Sequence, residues 1–83
     1  YNEAMVIASK GGNIDIVKSM IEKNANFFKY SLLEAARNGH INIVKLLLNY
    51  INDKNNLNII MRYAAEAGYI NIARILINYG ANN

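Results

Sequence analysis

Gly39-His40-Ile41-Asn42-Ile43-Val44-Lys45 decides how this chain folds, because it is written three times. It stands earlier as Gly12-Asn13-Ile14-Asp15-Ile16-Val17-Lys18 and later as Gly68-Tyr69-Ile70-Asn71-Ile72-Ala73-Arg74. The glycines are spaced by 27 and then 29 residues. A period in this range marks an array of stacked supersecondary units. Arrays of that kind present extended binding surfaces rather than catalytic pockets.

Each unit repeats one grammar around its glycine. A short apolar helix precedes it: Ala4 to Ala8, Ser31 to Ala36, Ile60 to Ala65. The glycine stops that helix, since it reaches the left-handed conformation of a helix C-terminus without steric cost. A second helix follows at once. In unit two its apolar positions are Ile41, Ile43, Val44, Leu46, Leu47 and Leu48, which make a wide apolar face. Asn13 suits the cap of the first such helix, whereas His40 and Tyr69 are poorer caps. Asp15 is placed to pair with Lys18 across one turn. Lys18, Lys45 and Arg74 recur at one place and are expected to form a column on the outer surface.

The connectors, residues 23–29 and 50–57, are short and rich in asparagine. Asn24 tolerates a left-handed cap. Ile51 stands at the matching place in unit two, and a β-branched residue resists positive φ. The second helix there is expected either to run on past Tyr50 or to end without a left-handed cap. Gly80-Ala81-Asn82 is expected to end unit three in the most regular way.

Eighty-three residues make one small domain at most. Of them 53% are apolar, yet neither end reads as a polar cap, so the expectation is a fragment of a longer array or an array closed by other segments. With no cysteine and one histidine, disulfides, thiolate metal sites and multi-histidine sites are excluded. No apolar run approaches the roughly 18 residues of a membrane span, and no signal peptide is visible. An intracellular setting, cytoplasm or nucleus, is the default. The net charge of +3 is mild beside the clustered lysine and arginine of a dedicated nucleic-acid binder. The wealth of asparagine and isoleucine fits AT-rich coding sequence.

Two short helices, a Gly-His turn and Ile43-Val44-Lys45-Leu46-Leu47-Leu48 resemble the ankyrin repeat. Unit two is closest, with Leu32, Ala35-Ala36 and Arg37-Asn38-Gly39-His40. Unit three carries Ala64-Ala65, Gly68, Ile72 to Ile77 and Gly80-Ala81; unit one is weaker, with Ala8, Gly12, Ile16-Val17-Lys18 and Met20-Ile21. The resemblance implies an all-α, ankyrin-like solenoid of about three helix-turn-helix units, near residues 3–29, 30–58 and 59–83. The family's usual Thr-Pro-Leu-His opening is missing from every unit, so polar bonding between repeats is expected to be weaker. The short period implies shortened loops without a β-hairpin finger. Divergent Asn- and Ile-rich arrays of this kind look like those of giant amoebal DNA viruses.

No enzyme is expected on these residues. His40, as an acid–base group, would need an orienting partner and a pocket; its plain reading is a turn residue whose ring bonds backbone. The six carboxylates form no pair at helical spacing, Asp53 among asparagines reads as a turn rather than a calcium loop, and Gly11-Gly12 is not a phosphate cradle. No metal or cofactor site is expected. Phe27 and Phe28 are expected to divide between core and contact patch. Tyr50 and Tyr79 either anchor a partner or cover the seam between repeats. The resemblance implies a protein partner bound on the concave side, which maps to Lys10, Lys29, Tyr30, Glu34, Arg37, Asn38, Asn56, Asn58, Tyr63 and Glu66. The mixed charge of that set argues for a protein over an anionic polymer. The other readings are a structural spacer in a larger assembly and weak nucleic-acid binding along the basic column.

Overall fold

The computed structural model describes residues 1–80. Six helices account for most of them: α1 (Asn2–Gly11), α2 (Ile14–Glu22), α3 (Phe28–Arg37), α4 (Ile41–Leu48), α5 (Leu57–Glu66) and α6 (Ile70–Tyr79). No strand occurs among the described residues, so no β-hairpin finger stands between the units. The chain is all-α, as the repeat implies.

The three turns between paired helices are built alike. Gly12, Gly39 and Gly68 have φ of 85°, 84° and 88°. The N–H of the residue after each glycine donates to the carbonyl of an alanine four residues before it: Asn13 to Ala8 at 2.9 Å, His40 to Ala35 at 2.9 Å, Tyr69 to Ala64 at 2.8 Å. This backbone bond is the six-to-one bond of a Schellman motif. All three alanines are buried, and their small side chains let the two helices of a pair approach.

These pairs stack into two layers. α1, α3 and α5 pack side by side in one layer; α2, α4 and α6 form the other. Each pair also packs within itself. The core lies between the layers and contains Met5, Val17, Leu32, Val44, Leu47, Leu57, Ile60 and Leu76. The described chain measures 33 × 23 × 16 Å, so no residue is far from the surface.

The two connectors differ for the reason the sequence gives. After α2 the chain reverses through Asn24 at φ 68°, and Ala25 N–H closes on Met20 O at 2.9 Å. After α4 the cap, Asn49, stays right-handed and the helix ends at Leu48 without a left-handed residue. Ile51 is instead buried, and the chain goes on to a positive φ at Asn56 just before α5. Asp53 makes the expected turn, accepting from Asn55 N–H at 2.9 Å. α3 opens at Phe28, so Phe28 and Lys29 belong to the helix and not to the connector. Gly80 has φ 137°, outside the left-handed helical region expected of it; Ala81 and Asn82 lie outside the described residues.

Candidate interaction surface

Counting back from each glycine places the exposed side chains of the inner layer in three rows. Nine residues before it stand Glu3, Tyr30 and Ile59; five before it, Ile7, Glu34 and Tyr63; two before it, Lys10, Arg37 and Glu66. Spacings of four and seven put all three rows on one helix face, the face turned from the outer layer. Eight of the nine are exposed, and Glu34 is half-buried.

Contacts tie the strip together. The Arg37 guanidinium lies over the Tyr63 ring at 5.6 Å, joining α3 to α5, and sits 3.8 Å from the Glu34 carboxylate. At an exposed site the first contact contributes about 0.5–1 kcal/mol and the second about 0.2–0.5 kcal/mol. These energies are small, but they hold Arg37 and Tyr63 in a defined arrangement. Phe27 and Tyr30 meet with ring centroids 5.4 Å apart. Phe27, Tyr30, Ile7, Val6 and Glu3 line a hollow of about 390 Å³. Ile59, Arg62, Tyr63 and Glu66 line a second of about 380 Å³. Phe28 takes the other role foreseen for the pair: it packs against the core and stacks on Tyr50 at 5.1 Å.

Of the ten candidate residues, Lys10, Tyr30, Glu34, Arg37, Tyr63 and Glu66 fall on this strip. Asn38 is occupied elsewhere, its amide donating to Glu34 O at 2.7 Å to close α3. Lys29 reaches the second connector, 3.0 Å from the Asp53 carboxylate and 2.6 Å from Asn55 O. The Asn55 N–H, and after it Lys29, hold the Asp53 carboxyl below its ordinary value. Asn56 precedes α5 in the left-handed conformation, and Asn58 is half-buried in the first turn of that helix. Glu3, Ile7 and Ile59 are absent from the ten, although they stand at the same offsets from their glycines as Tyr30, Glu34 and Tyr63.

Other expectations meet mixed outcomes. The His40 ring bonds the Lys10 carbonyl at 2.9 Å, so it joins units one and two rather than serving a reaction. Asn13 caps α2, accepting from Ile16 N–H at 3.2 Å, while His40 and Tyr69 make no such cap. Tyr79 donates its hydroxyl to Ile51 O and so covers a seam. Asp15 and Lys18 do not pair; the ion pairs among the described residues are Lys29–Asp53 and Arg37–Glu34. Lys18, Lys45 and Arg74 are exposed on the outer layer. No three His, Cys, Asp or Glu side chains gather into a metal site among the described residues.

Residues 3–83 match the family model for ankyrin repeats (3 copies). The chain belongs to the ankyrin repeat family. None of the curated proteins and none of the solved structures compared with it matches. Ankyrin repeats are generally protein–protein interaction modules and typically carry no enzymatic activity. This ankyrin array holds no described helix long and apolar enough to cross a membrane.

Proposed function

We propose that this ankyrin array is a non-enzymatic module that holds a protein partner inside the cell, on the exposed face of α1, α3 and α5. The observation that carries the reading is the strip itself. Ile7, Tyr30, Ile59 and Tyr63 stand exposed beside the row of Lys10, Arg37 and Glu66 on a face that three packed helices hold rigid. Exposed aromatic and aliphatic side chains ringed by charges of both signs suit a protein surface. A face already ordered before binding loses little conformational freedom when it binds. Further repeats on either side in a parent chain would lengthen the same strip.

The test compares immobilised parent with two variants as baits for proteins in a cell lysate. Tyr30→Ser with Tyr63→Ser alters the strip at exposed positions; Lys18→Ala, Lys45→Ala and Arg74→Ala remove the outer column. A partner held by the parent and the column variant, but released by the strip variant with an unchanged circular dichroism spectrum, supports the proposal. Capture that follows the basic column and falls steeply with salt would replace it with nucleic-acid binding.

A further inference from the structure

Gly11, Asn38 and Ala67 stand before the three turn glycines, and of these Asn38 can react with its own backbone. It is also the one asparagine of the sequence that glycine follows. Its Cγ is an electrophile. The Gly39 backbone nitrogen, one residue on, is the nucleophile, with no Cβ beside it to shield the approach. Attack forms a bond from Gly39 N to Asn38 Cγ as that nitrogen gives up its proton. The Cγ–Nδ2 bond breaks, and the side-chain nitrogen takes up the proton and leaves as ammonia. Water then opens the cyclic imide at one carbonyl or the other. The product is aspartate, or an isoaspartate whose backbone runs through Cβ.

The folded turn holds the reacting atoms apart. Asn38 has a ψ of 5°, so the Gly39 nitrogen eclipses the Asn38 nitrogen and lies well away from the side-chain branch of the same Cα. The amide nitrogen that has to leave donates to Glu34 O at 2.7 Å. The His40 N–H closes the turn on Ala35 O at 2.9 Å, and the Tyr69 ring of unit three lies against Gly39. Ring closure needs a large rotation of ψ at Asn38, which swings Gly39 out from under that ring. We infer that Asn38 is a site of spontaneous deamidation whose gate is the seating of Tyr69, from the next repeat, on Gly39. This contact lies inside the array, between units two and three. The change is one-way. Isoaspartate lengthens the backbone by one atom between Ala35 O and His40 N–H, so the turn no longer closes in register. Aspartate brings a group that only accepts hydrogen bonds to the Glu34 carbonyl, at the negative end of α3. Either product adds a negative charge one residue from Arg37. The inference concerns the turn and stands independently of the proposed function.

The 83-residue chain tests it in mildly alkaline buffer, with peptide mapping by mass spectrometry to follow each asparagine. In concentrated urea Asn38 should convert before any other asparagine. In native buffer it should convert more slowly by about tenfold or more, because the turn must open first. Tyr69→Ser and Tyr69→Leu remove the ring; serine also suits the N-cap of α6, where Tyr69 stands. Val17→Ala, at a buried position in unit one, is the control for general loss of stability. A Tyr69 variant with the parent's helical circular dichroism should convert Asn38 severalfold faster than the parent, and faster than Val17→Ala. The parent in urea below its unfolding midpoint reads the same gate without a variant. A local opening exposes little surface, so the rate at Asn38 should rise less steeply with urea than global unfolding does. A folded parent that converts as fast as the chain in concentrated urea would overturn the inference. So would folded Tyr69 variants no faster than Val17→Ala, or a rate that follows global unfolding, since protection would then come from overall stability and not from the ring.

Discussion

The ring of Tyr69 stands so close to Gly39 that no side chain fits between them: a Cβ on Gly39 would lie 2.7 Å from two ring atoms. Gly39 therefore serves twice, once for the turn of its own unit and once as the seat of the next unit's ring. Gly68 has almost the same φ, 88° against 84°, with no such neighbour. Gly68→Ala should cost about 1–2 kcal/mol, the left-handed strain of an L-residue. Gly39→Ala adds the displacement of Tyr69, and its total should reach about 3 kcal/mol. Urea denaturation of the two variants separates the effects; equal losses would show that the ring yields freely.

A buried hydroxyl gives the second prediction. Ser31 is fully buried on α3 and its Oγ has no hydrogen-bond partner among the described residues. Ser9, equally buried on α1, donates to Met5 O at 2.8 Å. Removing an unsatisfied buried polar group recovers its desolvation penalty. Ser31→Ala should raise stability by about 1 kcal/mol, while Ser9→Ala should leave it nearly unchanged. A Ser31→Ala variant with a lower denaturation midpoint would mean that the hydroxyl is satisfied in solution.

The turns and helices could be read from the sequence because they depend on local chemistry that recurs three times. Glycine at fixed offsets sets the turn, and Ile51 refuses the cap that Asn24 accepts. What lay hidden depends on neighbours that a local pattern does not contain. Ile16, Ile43 and Ile72 look identical as letters, and only the stacking makes one exposed and two buried. The ring of His40 was legible as a turn residue, but not as the piece that bonds Lys10 O in the previous unit. The surface strip was half visible. The family resemblance pointed to Arg37 and Tyr63, but it does not show that the Asn38 amide closes α3.

Asp53 carries the pH dependence. Its carboxylate accepts from Asn55 N–H and faces Lys29, so the charged form is favoured and the folded pKa lies below the ordinary one. A depressed pKa contributes stability above the unfolded value and loses it as pH falls through the folded value. Asp53→Asn should therefore be less stable than the parent at neutral pH, with the difference closing in acid, below the ordinary carboxylate range. Added salt should narrow the difference at neutral pH as well, because both partners are solvent-exposed enough to be screened. A gap that persists unchanged at low pH would assign the effect to the backbone turn instead of the charge.

Opposite substitutions at the position after the glycine in units one and two should both destabilise the chain. Asn13 has no preceding unit to cover in the structure, and its side chain caps α2. Losing that cap costs about 1 kcal/mol, so Asn13→His should lower the stability of the single chain by about that amount. His40 makes no cap; its ring covers Gly12 and bonds Lys10 O. His40→Asn can gain a cap of about 1 kcal/mol. It also forfeits a hydrogen bond of about 0.5–1.5 kcal/mol and uncovers Gly12 and the Lys10 carbonyl at the junction of units one and two. The net effect should be destabilising despite the better helix-capping residue. Thermal denaturation in dilute solution reads both variants, and a His40→Asn chain more stable than the parent would show that capping outweighs the ring-on-glycine contact in holding neighbouring repeats together.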